Sequence, residues 1–241
     1  MNWLIIILAI ILIVLVWYIY TIYSSAPTVA SNIDLSTTAL TITGDQIAGG
    51  TSTTYSIGCW IFVKNANGIT GKNGETNVDI FNYVVDSSAP TKTNLFSLNI
   101  DRSSGLTLNA KIATGTGTTT QNIVLSSNLP VQTWVYVTVS VSATYIDSYI
   151  NGKLVKSTPI SNIYQPSNYP ANNKSGPTFI SNTCPVIITG LSRWNTPLDP
   201  QTIWNYYSQG NGNAMQQMLG SNYHLNLVLK KDSKIHDLSI F

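Results

Sequence analysis

Thr54-Tyr55-Ser56-Ile57-Gly58-Cys59-Trp60-Ile61-Phe62-Val63 is the stretch on which the fold turns. With the two-residue period of a strand, Tyr55, Ile57, Cys59, Ile61 and Val63 fall on one face, and Trp60 and Phe62 on the other. A strand that is apolar on both faces needs cover on both. This one is therefore expected in the middle of a sheet, packed between two layers. The theme continues outward as short strands separated by Gly, Asn, Ser or Pro turns. Val78–Val85 reads as a strand, and Leu95–Ile100 and Leu106–Ala113 as two more, joined through Asp101-Arg102-Ser103-Ser104-Gly105. Trp134–Val141 sets Val135, Val137, Val139 and Val141 on one face. Tyr145–Ile150 and Lys153–Lys156 flank Asn151-Gly152, the pair preferred in the two-residue turn whose twist matches its strands.

Ser36–Thr43, Thr178–Ser181 and Val186–Trp194 also read as strands. Between the strands lie Gly/Asn-rich Asn65–Thr76, a Gly/Thr-rich tip at Thr114–Thr120, and the long Pro/Asn/Tyr loop Asn162–Pro177. One helix is signalled by Asp199 as N-cap, Pro200 in its first turn and Gly210 as its stop, with Ile203, Trp204, Tyr206 and Tyr207 available for packing. Many short strands without crossover helices predict an all-β, antiparallel two-sheet sandwich.

Before this domain comes an apolar run. From Trp3 to Tyr23 no residue is charged. As a helix at ~1.5 Å per residue the run spans roughly 30 Å, the thickness of a bilayer's hydrocarbon core. Trp3 marks one end, and Trp17, Tyr18, Tyr20 and Tyr23 the other, as aromatic rings do at membrane interfaces. The expectation is a retained transmembrane anchor. A signal peptide, with Thr28-Val29-Ala30 before a cleavage point, fits less well, because no Lys or Arg precedes the run and it exceeds ~7–15 residues. The first basic residue is Lys64, so charge does not set the orientation. The expected organisation is a transmembrane helix at 1–23, a linker at 24–32, the β domain at 33–220 and a C-terminal strand or arm at 221–241.

Charged residues make up 9% of the chain and the net charge is +2, while hydrophobic residues reach 44%. That balance fits a folded domain with no electrostatic field for nucleic acid. Cys59 and Cys184 form no CxxC pair and lie far from both histidines, His224 and His236, which argues against a zinc site. The two cysteines are either a long-range disulfide or two small buried apolar groups.

No catalytic constellation is legible. Glycoside hydrolysis needs two carboxylates about 5–10 Å apart. Glu75 is the only Glu, alone in its loop, and Asp79 and Asp86 do not share a strand face. There is no Gly-x-Ser-x-Gly elbow and no phosphate-binding glycine loop. The chain is therefore expected to be no enzyme and to need no cofactor. Calcium is a minor possibility, with Asp86, Asp101 and Asp147 as rim acids that otherwise cap turns. Tyr164, Asn168, Tyr169 and Asn172 form a candidate contact loop for a glycan or a protein partner, the alternative being that they pack the loop onto the sandwich. Trp60, Trp134, Trp194 and Trp204 are read as core residues first.

Four segments in order resemble laminin G-like, concanavalin A-like domains: Tyr55–Trp60, Trp134–Val139, the hairpin Tyr149–Val155, and Leu191–Asn195 followed by Leu198, Ile203, Tyr207 and Gly210. The resemblance covers roughly Ile33–Gly220 and implies a jelly-roll sandwich. It does not imply a function, because that fold hosts lectins, glycosidases, adhesion modules and capsid components. A bare N-terminal anchor on one Ser/Thr/Asn-rich domain also resembles virion proteins of large double-stranded DNA viruses with an internal membrane. That likeness implies a minor capsid component tethering a protein shell to the membrane, with the bilayer and capsid-like proteins as partners. The alternative is a membrane-displayed lectin-like or adhesion module, which predicts a concave rim site.

Overall fold

The strand Tyr55–Val63 lies where its two apolar faces require, inside the larger of two sheets. In a computed structural model, residues 3–23, 28–30, 33–37, 52–70, 74–85, 93–115, 119–164, 177–178, 184–211, 226–231 and 234–239 are described. In chain order the elements are α1 (Trp3–Tyr23), β1 (Thr28–Ala30), β2 (Ile33–Asp34), β3 (Tyr55–Val63), β4 (Asn77–Val85), β5 (Thr93–Asp101), β6 (Thr107–Thr114) and β7 (Thr119–Ser126). Then follow β8 (Trp134–Val141), β9 (Tyr145–Ile150), β10 (Lys153–Pro159), β11 (Pro177–Thr178), β12 (Val186–Trp194), α2 (Pro200–Ser208), β13 (Asn226–Lys231) and β14 (Lys234–Ser239).

A seven-stranded sheet has the order β1-β12-β3-β8-β9-β10, with β2 also on β12, and a five-stranded sheet has the order β11-β4-β5-β6-β7. Every pairing between named strands is antiparallel. The two sheets bury one core between them. Cys59, Ile61, Val137, Val139 and Ile188 come from the first, and Phe96, Leu98, Leu108 and Ile112 from the second. This is the antiparallel two-sheet jelly-roll sandwich expected from the strand pattern.

The outer face of the seven-stranded sheet carries a second layer. Helix α2 lies on it through Ile203, fully buried with Tyr136 and Tyr149, and through half-buried Trp60, Leu198, Tyr206 and Tyr207. Burying an isoleucine side chain of that kind stabilises by ~1.5–3 kcal/mol. Asp199 caps the helix by accepting the Thr202 N–H at 3.0 Å. The four tryptophans are correspondingly not in the main core. Trp194 is buried beneath Tyr206, Trp60 and Trp134 are half-buried, and Trp204 is 42% exposed.

Several expectations need adjusting. Strand β1 lies within the segment read as linker and pairs with β12, Thr28 opposite Ser192. Residues 35–37 form a turn rather than the start of a strand, because the Asp34 carboxylate accepts the Ser36 N–H and hydroxyl; 38–43 lie outside the described residues. Strand β7, from the supposed tip onward, has four exposed residues in succession before Ile123, since it is a sheet edge. The C-terminal arm holds a hairpin in which β13 pairs with β14.

Helix α1 is 21 residues long. Its described side chains are Trp3 and those of 6–17, and among the described residues no helix is long and apolar enough to cross a membrane. Trp3 and Trp17 are 78% and 64% exposed; the side chains of Tyr18, Tyr20 and Tyr23 lie outside those described.

Cys59 and Cys184 are free thiols, both fully buried. No disulfide joins them, because the register forbids it. Ile188 lies opposite Ile61 and Val186 opposite Val63, so Cys184 falls about six residues along the sheet from Cys59. That is ~20 Å, against the ~4.4–6.8 Å between Cα atoms that a bridge requires. Burial pushes each thiol up to about 12.

Candidate functional site

At one end of the sandwich, four connections separated widely in sequence enclose a cleft of about 560 Å3 lined by Thr53, Thr54, Gly115, Ala143, Asn162 and Ile163. Thr53 and Thr54 lead into β3. Gly115 follows β6, Ala143 lies in the β8–β9 turn, and Asn162 and Ile163 follow β10. Hydrogen bonds fix each wall. The Ser52 hydroxyl donates to the Asn195 carbonyl at 2.7 Å, and Arg193 Nη2 donates to the Ser52 carbonyl at 3.4 Å. The β8–β9 turn closes through the Tyr145 N–H donating to Ser142 Oγ at 3.0 Å. The Gly115 N–H donates to the Asn162 carbonyl at 2.8 Å, and the Tyr164 N–H to the Ala113 carbonyl at 3.2 Å. These last bonds seat the chain after β10 against the end of β6.

Beneath the Thr53 wall, Arg193 is 4% exposed, with its guanidinium 5.4 Å from the Tyr55 ring centroid and 5.7 Å from that of Tyr83. It also donates to Asn195 Oδ1 at 2.8 Å. Burial pushes the Tyr83 phenol above its ordinary range, and the Arg193 charge opposes that shift. The Arg193 charge is thus held beside Ser52, and the cleft lining itself is uncharged: two hydroxyls, one carboxamide and aliphatic surface. Such a lining offers donors and acceptors beside an apolar wall, and none of the lining residues is a general acid or base.

The outer face of the five-stranded sheet is polar. Asp79, Asn99 and Asn109 face one another in one row across β4, β5 and β6, and Asn82, Ser97 and Lys111 in the next. Asn109 Nδ2 donates to Asn99 Oδ1 at 3.3 Å, and Asn82 Nδ2 to Asp79 Oδ2 at 3.4 Å. Asn82 Oδ1 and Asn99 Nδ2 are buried and have no hydrogen-bond partner among the described residues. These rows escaped the sequence reading, although the polar alternation Ser97-Asn99-Asp101 and Thr107-Asn109-Lys111 announces them. Of the cleft lining, Thr53 and Ala143 carried no signal in the sequence.

Of the residues singled out in sequence, Tyr164 is half-buried and packs against the core beside Ile163 at the cleft's edge. Asn168, Tyr169 and Asn172 lie outside the described residues, as does Asp86. Asp101 and Asp147 belong to different sheets. Asp101 accepts the Ser103 N–H at 2.8 Å, which lowers its carboxyl, so it acts as a turn cap. Among the described residues no group of three His, Cys, Asp or Glu side chains could hold a metal ion.

Solved structures share this architecture. The receptor-binding domain of botulinum neurotoxin C/D mosaic serotype superposes with a TM-score of 0.54 at 15% identity, over 75% of this chain and 43% of that one. The ligand-binding domain of botulinum neurotoxin serotype D, in complex with N-acetylneuraminic acid, gives 0.51 at 14% identity, over 75% and 42%. The Trypanosoma rangeli sialidase in complex with sialic acid gives 0.51 at 9% identity, over 74% and 27%. The chain spans less than half the length of each, and identities this low carry the fold alone. No curated protein matches the chain. A Laminin_G_3 family model, described as the concanavalin A-like lectin/glucanases superfamily, matches residues 34–207. With well over half its length matched, from β2 into α2, the chain belongs to the concanavalin A-like lectin/glucanases superfamily.

Proposed function

We propose that this chain is a non-enzymatic, lectin-type recognition module held at a membrane by α1, with the rim cleft as its glycan site. The observation that carries the reading is the cleft itself. At about 560 Å3 it lies within the ~300–1,000 Å3 of small-molecule sites, and its lining pairs neutral donors and acceptors with aliphatic wall. A sugar ring presents the same combination, hydroxyls around an apolar face. Two of the structures sharing the fold were solved with sialic acid, which supports a glycan ligand here.

The anchor reading is supported by α1. Its side chains from Ile10 to Trp17 are each more than half exposed, so none of the described residues covers them. A helix that is apolar all round needs cover, which lipid would supply, and 21 residues at ~1.5 Å per residue come to about the thickness of a hydrocarbon core.

The test is a glycan array probed with the full chain in mild detergent, alongside Ala143→Trp. Ala143 is exposed in its turn, so a tryptophan there fills the cleft without disturbing the core. Wild-type binding that Ala143→Trp abolishes, with its melting temperature unchanged, is the expected result. Equal binding by both would move the site elsewhere. No binding by either would leave tethering of a protein shell as the better account of an anchored sandwich.

A further inference from the structure

The two outer faces of the sandwich are chemical opposites. That of the five-stranded sheet carries the amide, hydroxyl and charged rows described above. That of the seven-stranded sheet carries Phe62, Trp134, Tyr145, Leu154 and Trp204. Tyr145, Leu154 and Trp204 are 52%, 53% and 42% exposed. Phe62 and Trp134 are half-buried, their ring centroids 5.2 Å apart. Leu154 pairs with Tyr149, whose ring lies under α2, so Leu154 shares the helix side of the sheet with Trp204. Val155, 52% exposed, follows at a bulge in the same edge strand; Lys153 and Lys156, their neighbours in sequence, pair with Ile150 and Ser148 and so lie on the other side of the sheet.

We propose that this face, centred on Trp204 and Leu154, rests on the headgroup layer of the bilayer that holds α1. The proposal rests on the anchor reading above. It commits to lipid as the occupant because of the connection between helix and sheet. Only residues 24–27 separate α1 from β1, and β1 is a strand of this same sheet, paired to β12. Four residues reach at most ~14 Å, so the β1 edge stays within that distance of the end of α1 while it stays paired, and β10 with Leu154 forms the opposite edge of the same sheet. Tryptophan and tyrosine favour the interface, where their rings meet both chains and headgroups. Asp147 and Asp199 belong to the same side, so contact depends on aromatic and aliphatic insertion more than on net charge.

The experiment places a nitroxide on the full chain in vesicles of phosphatidylcholine and phosphatidylserine. Labels are attached at Leu154→Cys and Val155→Cys, with Asn122→Cys on exposed β7 of the other sheet as control. Cys59 and Cys184 are fully buried and stay unlabelled. The expected result is that labels at 154 and 155 collide several-fold less with a water-soluble nickel chelate than the label at 122, and more with oxygen. If the chain floats with the vesicles but all three labels are equally open to nickel, the anchor reading stands and the resting face is refuted. If the chain does not float, both fall. Two label sites guard against a local effect of either substitution on the edge strand.

Discussion

Gly152→Ala tests the packing of the β9–β10 turn under α2. Asn151 and Gly152 have φ of 50° and 74°, the pair of positive values that a two-residue turn of type I′ requires. Asn151 tolerates this and uses its side chain, accepting the Tyr136 N–H at 2.9 Å to extend the β8 ladder. Position 152 has a second constraint. A Cβ there falls 2.8 Å from Trp204 Cε3 and 3.1 and 3.2 Å from Tyr207 side-chain atoms. The left-handed backbone costs a non-glycine residue ~1–2 kcal/mol, and displacing packed rings adds ~1–3 kcal/mol. Gly152→Ala is thus expected to destabilise by ~2–5 kcal/mol. In a Trp204→Ala background the nearest obstruction is gone and the cost should fall by at least ~1 kcal/mol, a coupling of the size neighbouring residues show. The assay is urea unfolding of the four proteins in one detergent, with equal m-values as the condition for comparison. An identical cost in both backgrounds would refute the role given to Trp204. A cost well below ~1 kcal/mol would refute the strained turn as well.

Two further outcomes follow from charge and burial. Neither Cys59 nor Cys184 should react with an aromatic disulfide reagent at pH 8 in the folded protein, since burial holds both thiols near 12, and both should react once it is unfolded; rapid labelling of a native thiol would contradict the burial. The Lys64 ammonium, first, and the Ser36 hydroxyl lower the Asp34 carboxyl, so this pair contributes stability above the ordinary carboxylate range and loses it as pH falls through the lowered value. Both side chains are about one-third exposed, which limits the effect to under ~1 kcal/mol. Lys64→Met should shrink the acid-side loss of stability, and an unaltered pH profile would remove the pair from the account.

Legibility in the sequence followed packing. Trp134–Val141 and Val186–Trp194 are strands with the very bounds their alternation predicts, because both lie inside a sheet and bury nearly every residue. Strand β7 was silent because an edge strand leaves Thr119–Asn122 in water, and water imposes no period. Of the tryptophans read as core residues, Trp194 is buried, while Trp60 and Trp134 are half-buried and Trp204 is 42% exposed. Periodicity tells which side of a strand a ring takes, not what lies over that side. The cleft was the least legible feature. Its walls come from positions near 53, 115, 143 and 162, brought together only when the sandwich closes. Gly115, Asn162 and Ile163 fell in segments that composition had marked, but nothing in the sequence brought those segments together.

The pairing of β1 with β12 has a mechanical side. The residues preceding β1 lead to α1, so if α1 is the anchor proposed above, a pull between it and the domain would pass first through β1. That strand holds the sheet edge at Thr28 opposite Ser192 and Ala30 opposite Leu191, and at no other registered pair. Such a short contact peels under load one bond at a time, long before the sheets part. Releasing it lengthens the free connection from residues 24–27 to residues 24–32, raising its reach from ~14 Å to ~30 Å. The sandwich then carries no load until that slack is used, and β1 rejoins its edge when the tension drops. On the anchor proposed above, the strand would serve as a strain-relief link between helix and sandwich.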